Sequence, residues 1–149
     1  CDNSQVSGAL HLIVELYTSP DDASEHALVQ VTEYSGRLGG KRWRFTLSTK
    51  GVIGRCLRTQ KPEWVNFGSL AEYEERMVTE FGFTPKEVQE HTQQARSYWA
   101  EPVVARGQMV GVMYLFSTEL QVFPCAAEKS SLEGAAREIA AFLEGARLV

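Results

Sequence analysis

A predicted β-hairpin in the second half of the chain constrains its fold more than any other feature. Residues 96–105 and 108–117 are two apolar runs, and Arg106 and Gly107 between them form a two-residue connection typical of a tight hairpin. Apolar runs of this length are typical of strands covered on both faces. We therefore predict two adjacent antiparallel strands in the centre of a sheet.

Four further segments have the pattern of strands. Residues 10–17 alternate between apolar and other side chains, the period of two that marks a strand half buried on one face, and His11 falls on its polar side. Residues 27–34 are rich in β-branched and aromatic types, which suit a pleated surface. Residues 42–47 predict a short edge strand, and residues 63–67 a brief one.

Helices are predicted between and after these strands. Residues 50–59 carry one apolar stripe at helical spacing, while residues 69–72 (SLAE) and 84–87 (TPKE) are capping boxes that open two further helices. From residue 126 onward apolar side chains recur at i, i+3, i+4 and i+7, which predicts one amphipathic terminal helix. Strands and helices that are largely segregated along the chain indicate an α+β fold, an antiparallel sheet with helices on its faces.

Composition excludes several classes of function. The chain has 149 residues and a net charge of −4, so it lacks the basic surplus with which proteins neutralise nucleic-acid phosphates. No apolar run approaches the roughly 20 residues that span a bilayer, so we expect a soluble chain with no membrane span. Its three cysteines (Cys1, Cys56 and Cys125) form no C-x-x-C spacing, which favours neither a disulfide framework nor a metal site and indicates the cytoplasm. A first residue of Cys1 indicates a domain cut from a longer protein, or else a processed lipoprotein terminus.

Four ordered segments resemble the GAF domain family. They are residues 50–55 (KGVIGR), 59–62 (TQKP), 97–103 (SYWAEPV) and 107–115 (GQMVGVMYL), and the resemblance extends from about residue 10 to the end. It implies one domain over residues 1–149, with a GAF-like (profilin-like) antiparallel sheet of about six strands. In that fold terminal helices cover one face, and short helices and loops close a small-molecule pocket on the other.

The resemblance also implies a helix before the first strand, which the nine residues before Leu10 are too few to form completely. That N-terminal helix is therefore incomplete or missing. Its partner in the family is the terminal helix, so the apolar stripe of Leu132, Ile139 and Leu143 would be open to another chain, and a homodimer through the terminal helices is expected.

The family acts mainly as a sensor placed before signalling outputs, and one subfamily, the free methionine sulfoxide reductases, reduces its substrate through thiols. Those enzymes carry cysteine where this chain has Ile53, and further cysteines before the strand of Pro102, where this chain has none. We therefore predict no catalytic residue and no enzyme activity. The Cys-His pair of light-sensing members is also missing, and His91 is the one histidine near the implied pocket. No metal ligand and no particular cofactor is predicted.

The implied pocket would be walled by aromatic side chains and a few polar groups, the usual composition of a small-ligand site. Glu101 is the anomaly, because a carboxylate in a central strand needs a partner or solvent, and we consider Arg96, Arg44 or Arg55 as that partner. The alternative is a structural role, either an ion pair or an edge position that faces water. The predicted ligand-binding residues are Trp64, Asn66, Tyr73, Arg96, Tyr98 and Glu101.

Residues 68–94 form a predicted lid. Their short helices carry few apolar residues per turn, which favours opening on binding, although the glutamates of the segment could equally serve solubility.

Three hypotheses follow for function. The first is a sensory GAF-like domain that binds a small molecule and relays occupancy to an attached or associated output, such as a sensor histidine kinase or a transcription regulator. The second is a ligand-free dimerisation module, and the third, which we disfavour, is a thiol-based methionine sulfoxide reductase-like enzyme.

Overall fold

One antiparallel sheet of six strands forms the centre of the protein. The computed structural model describes residues 6–16, 25–35, 43, 45–90, 95–120, 122–123 and 126–149. The strands are β1 (Val6–Leu16), β2 (Glu25–Gln30), β3 (Phe45–Leu47), β4 (Glu63–Asn66), β5 (Ser97–Ala105) and β6 (Gln108–Ser117). The helices are α1 (Gly51–Thr59), α2 (Leu70–Thr79), α3 (Pro85–Glu90) and α4 (Ala126–Gly145).

The strand order in the sheet is β3-β2-β1-β6-β5-β4. Two three-stranded groups, β1–β3 and β4–β6, therefore join where β1 pairs with β6. The predicted hairpin is confirmed, since β5 and β6 pair from Ala105 opposite Gln108 onward and each has a neighbour on both sides. The predicted α+β fold is confirmed as well.

α2 and α3 begin where the capping-box sequences predict, but only α3 forms the full reciprocal box, since the Glu72 carboxylate at α2 accepts from the N–H of Gly68 at 2.8 Å. The Ser69 hydroxyl accepts a hydrogen bond from the backbone N–H of Glu72 at 3.1 Å. At α3 the Thr84 hydroxyl accepts from the N–H of Glu87 at 3.2 Å, and the Glu87 carboxylate accepts from the N–H of Thr84 at 2.7 Å. The sequence predicts both helix starts because the hydrogen bonds at a helix N-terminus join residues only three positions apart.

Two apolar clusters cover the two faces of the sheet. On one face α4 buries Ala136, Ala140 and Leu143 against Val103 and Met113. The other face packs against α1 and α2, through a cluster that includes Val52, Cys56, Phe67, Met77, Tyr98 and Phe116.

The predicted open stripe of α4 is covered by the chain's own sheet. Leu143 is buried, and Leu132 and Ile139 are partly buried in the same cluster. The homodimer stays a prediction, but its interface would need side chains other than Leu143.

The strand boundaries differ from the sequence pattern in three main places. β1 begins at Val6, four residues before the predicted start at residue 10. β2 ends at Gln30, four residues before the predicted end. After it the N–H of Val31 still donates a hydrogen bond to the carbonyl of Leu10, at 2.9 Å. β3 is reduced to three residues, and residues 42 and 44 of the predicted strand lie outside the described part of the chain, as does His91.

Placing His11 on a solvent-facing side of β1 was wrong. Its side chain is only 1% exposed. The alternation in residues 10–17 predicts a strand with one solvent-exposed face. Helices cover both faces of this sheet, however, so the less apolar side of β1 is buried as well.

Candidate small-molecule site

A cavity of about 420 Å³ lies between the sheet and helices α1 and α3. His11 of β1, Tyr98 of β5 and Tyr114 of β6 face it from three neighbouring strands, and Tyr34 adds a further aromatic ring. The volume is in the range of small-molecule sites, which are about 300–1,000 Å³. Further apolar and polar side chains line it: Phe45, Thr46, Leu47, Val52, Ile53, Met77, Phe83 and Glu90.

The aromatic rings of the floor pack against one another. The rings of Tyr98 and Tyr114 are stacked at 6.0 Å with an interplanar angle of 28°, and His11 meets Tyr114 edge-on at 5.8 Å. Tyr34 packs edge-on against Phe116 at 5.1 Å. Because each ring is held by another, the floor is a rigid surface on which a flat or apolar ligand could lie without ordering these side chains.

An ion pair stands at the rim of the cavity. The ammonium of Lys50 donates to both carboxylate oxygens of Glu87, at 2.7 and 2.9 Å, and lies 5.6 Å from the centre of the Phe83 ring. The hydrogen bonds from Lys50, and then those from the backbone and hydroxyl of Thr84, lower the pKa of Glu87 to about 2. The Lys50–Glu87 pair is therefore charged at neutral pH. This ion pair joins the start of α1 to α3.

Two glycines let α1 approach the sheet and open the cavity beneath it. A Cβ at Gly54 would lie 2.7 Å from the backbone carbonyl of Ser48, so only glycine fits at this close contact. Gly51 begins the helix with φ of 68°, and its N–H donates to the carbonyl of Phe81 at 2.8 Å. The glycines of the GVIG segment (residues 51–54) therefore allow the close packing of α1, which covers the cavity.

The structure divides the six predicted site residues among three places. Tyr98 lies in the main cavity. Tyr73 and Arg96 line a second cleft of about 400 Å³, between α2 and the start of β5. The hydroxyls of Tyr73 and Tyr98 share a hydrogen bond, which joins the two sites through the core.

Trp64, Asn66 and Glu101 lie on the opposite face of the sheet, which α4 covers. The ring of Trp64 stacks on Trp99 at 5.2 Å, and the Asn66 side-chain amide donates to the carbonyl of Phe123 at 2.5 Å. Placing Tyr98 and Glu101 in one pocket was wrong for a geometric reason. Residues three apart in a strand point to opposite faces of the sheet.

Glu101 is satisfied by an indole and not by arginine. Its side chain is buried, and Trp99 Nε1 donates to its carboxylate at 2.9 Å. The proposed arginine partners are elsewhere or undescribed: Arg55 pairs with Glu63 at 3.2 Å, Arg96 lines the second cleft, and residue 44 lies outside the described chain. Burial raises the pKa of Glu101, the Trp99 bond lowers it, and the charges of Glu133 and Lys129 act in opposite directions.

Replacing Glu101 with glutamine should change how stability depends on pH. A pKa raised by folding means that the carboxylate's contribution to stability is present below the unfolded-state pKa, near 4.5, and is lost as pH rises through the folded-state value. Glutamine still accepts the Trp99 bond but carries no charge. We therefore expect Glu101→Gln to gain stability relative to the wild type as pH rises from 4 to 7 (about the range in which carboxyl groups titrate), measured by urea unfolding.

Glu75→Gln is the matched control, because Glu75 is exposed on α2. Its free energy of unfolding should follow the wild type across the same range. A constant difference between Glu101→Gln and the wild type at every pH would contradict the assignment of a buried, ionisable Glu101.

Sequence reasoning missed most of the residues that line the main cavity around Tyr98. In the sequence Lys50 belongs to a motif and Glu87 to a capping box, and the two are 37 positions apart along the chain. Tyr114 was part of a motif segment, and His11 was assigned to solvent. The capping box did place Glu87 at the start of a helix, but only the folded chain brings that helix opposite Lys50.

Cys56 is poorly suited to thiol chemistry. Its side chain is fully buried, and burial, followed by the charges of Glu101 and Glu63, raises the pKa of its thiol to about 12. Reactive cysteines instead have accessible thiolates and depressed pKa values. Cys1 and Cys125 lie outside the described residues.

Two kinds of feature are absent from the described residues. None of the helices there is long and apolar enough to cross a membrane. The same residues contain no group of three or more His, Cys, Asp or Glu side chains that could hold a metal ion.

The fold is similar to several solved structures. One is a GAF domain, with a TM-score of 0.59 and 15% identity over 93% of this chain and 65% of that one. A free methionine-R-sulfoxide reductase from Neisseria meningitidis, in complex with its substrate, has a TM-score of 0.65 and 15% identity over 95% of this chain and 69% of that one. A Staphylococcus aureus fRMsr with substrate has a TM-score of 0.59 and 13% identity over 91% and 71%.

The chain thus spans slightly less than two thirds of the GAF structure and somewhat more of the reductases, and at these identities the likeness is one of fold. No curated protein matches the sequence. The family model described as "GAF domain" matches residues 6–143, which include all six strands and most of α4. The chain therefore belongs to the GAF domain family.

Proposed function

We propose that this chain is a sensory domain that binds a small molecule in the cavity under α1 and α3 and relays its occupancy to a signalling output. The observation that carries the proposal is the cavity itself, about 420 Å³ with a floor of buried and partly buried aromatic rings and an ion pair at its rim. The output would be an attached or associated sensor histidine kinase or transcription regulator.

The lid of this proposal is the segment of residues 68–94, of which the structure describes residues 68–90. Glu87 joins it to the start of α1 through Lys50, and the side chains of both partners are partly exposed. An ion pair in contact with solvent contributes little stability, so ligand contacts made only in the closed form could decide its population. Occupancy would then move α3 relative to α1.

The relay runs through β5. Tyr98 and Trp99 are consecutive residues, so one faces the cavity while the other packs toward the α4 side of the sheet. A shift of this strand caused by a ligand resting on Tyr98 would therefore reach α4 without passing through a loop. We propose that α4 carries the signal out of the domain.

A cavity-filling variant tests the proposal whichever compound the cavity binds. Thr46 lines the cavity from the edge strand β3, so tryptophan there would occupy ligand space while keeping a residue type that suits strands. Nucleotides, amino acids, inorganic anions and haem are screened by thermal shift. A compound at 100 times its Kd should stabilise the wild type by about 2.7 kcal/mol, and Thr46→Trp should lose that gain.

Thr79→Trp, at the exposed end of α2, is the matched control and should keep the full ligand-induced shift. Two results would oppose the proposal. One is a wild type that none of these compounds stabilises, and the other is equal stabilisation of Thr46→Trp, which would place the binding outside this cavity.

The reductase-like fold does not lead us to propose thiol chemistry. Within the described residues the thiol available is that of Cys56, which is buried and has a pKa raised to about 12. The cavity offers a ligand aromatic surface and charge, and these favour binding.

A further inference from the structure

The second cleft, of about 400 Å³, has the composition of a binding site. We call it the Arg96 cleft, lined by Phe67, Ser69, Leu70, Tyr73, Ala95, Arg96 and Thr118. It shares no lining residue with the main cavity. The hydrogen bond between the Tyr73 and Tyr98 hydroxyls lies between the two.

The backbone of Arg96 is fixed by two hydrogen bonds, while most donors of its guanidinium remain unpaired. The backbone N–H of Arg96 donates to the carbonyl of Ser117 at 2.8 Å, and the Arg96 carbonyl accepts from the N–H of Phe67 at 2.8 Å. The guanidinium donates to the Gly68 carbonyl at 3.2 Å. Within the described ranges the Arg96 guanidinium has no other protein acceptor and no carboxylate within 4.0 Å. Most of its N–H donors are therefore open to a ligand.

Arg76, which lies over the Phe67 ring of this cleft, is already paired. It donates to Glu72 at 3.1 Å and to Glu80 at 2.8 Å, so its positive charge is compensated. Arg96 is therefore the half-buried cation that a ligand in the cleft would meet. A planar guanidinium with adjacent free donors matches the two oxygens of a carboxylate.

The floor of the Arg96 cleft is apolar. Phe67, Tyr73 and Ala95 are buried, and Leu70 is 55% exposed at the mouth. The Ser69 hydroxyl accepts from the Glu72 N–H, which leaves its hydrogen to donate. A ligand that fills this cleft needs a flat apolar body on the floor and an anionic end at Arg96.

We propose that the Arg96 cleft is a second binding site, for a small carboxylate carried on an apolar or aromatic body. The site is separate from the main cavity and does not depend on its function. Arg96 binds the carboxylate, Ser69 donates to it, and Phe67 and Tyr73 contact the apolar part.

Titration of the ¹⁵N-labelled protein with sodium benzoate tests the proposal, with benzamide as the neutral ligand of the same shape. Benzoate should shift the amide resonances of residues 68–70, 95 and 96 saturably, with a Kd on the order of 1 mM for a ligand of this size. Benzamide should bind at least tenfold more weakly, because it cannot form a charged pair with Arg96.

Arg96→Gln should weaken benzoate binding at least tenfold, and Arg96→Lys should weaken it less. Arg106→Gln, in the exposed turn between β5 and β6, is the matched control and should bind as the wild type does. Unchanged amide resonances of α4 show that each variant is folded. The proposal is overturned if benzamide binds as tightly as benzoate, if Arg96→Gln binds normally, if the shifts fall on the main cavity, or if no saturation occurs near 10 mM, about ten times the expected Kd.

Discussion

Trp99→Ala should destabilise the protein by about 3–5 kcal/mol, the range for removing a large aromatic side chain from a core. Trp99 is fully buried on the α4 face of β5, where its ring stacks on Trp64 and lies 6.2 Å from Phe123. Alanine would leave a cavity beneath both rings. It would also remove the indole donor of Glu101, and a buried carboxylate without its donor adds a further cost.

Urea unfolding at neutral pH, followed by circular dichroism, measures the loss. Trp99→Phe separates its two causes, since phenylalanine keeps much of the ring but not the donor, and it should cost about 1–3 kcal/mol through the unsatisfied Glu101. Trp64→Ala is the matched control on the other member of the stack. Trp64 is 44% exposed, so its loss should be clearly smaller, and equal losses at the two positions would contradict the packing described here.

Gly111→Ala should destabilise the protein by about 3 kcal/mol, the upper end of the usual cost of overpacking. A Cβ at Gly111 would lie 2.3 Å from the backbone carbonyl oxygen of His11 on the neighbouring strand β1. A backbone atom cannot turn aside as a side chain can, so β1 and β6 would have to separate at the junction of the two three-stranded groups. That displacement would also move His11 in the floor of the main cavity.

Gly134→Ala is the matched control, with the same substitution and the opposite expected sign. In α4 the nearest atom to a Cβ at Gly134 is a flexible arginine nitrogen, Arg137 Nη2, at 4.0 Å. Alanine inside a helix is favoured over glycine by about 0.5–1 kcal/mol, so this variant should be more stable than the wild type. Thermal unfolding of both variants checks the pair. A Gly111→Ala protein as stable as the wild type would show that the strands do not approach so closely.

Local patterns predicted the parts of the fold that depend on local interactions. The hairpin turn at Arg106 and Gly107, the capping boxes at Ser69 and Thr84 and the amphipathic period of α4 each involve residues a few positions apart. Their physical causes operate within one turn or one helix. These elements formed where the sequence indicated, while the lengths of β2 and β3, which depend on pairing with other strands, did not follow the pattern.

The candidate site could be predicted only in part, because side chains on a covered sheet face distant segments. Tyr98 was found, since its strand was correct, but Glu101 was assigned to the same pocket although the alternation of the strand separates the two. Tyr73 and Arg96 proved to line one cleft together. Nothing local in the chain distinguishes that cleft from the cavity that Tyr98 lines.

The order of residues was by itself sufficient to determine the α+β class, the start of each helix and the family resemblance, because these follow from periodicity, capping and short motifs. Only the tertiary structure decided that His11 is buried, that Lys50 meets Glu87, and that Glu101 bonds to Trp99 beneath α4. Burial and pairing of this kind depend on which elements cover each face of the sheet. Which elements cover each face depends on packing between segments that are tens of residues apart in the chain, and no local pattern determines that packing.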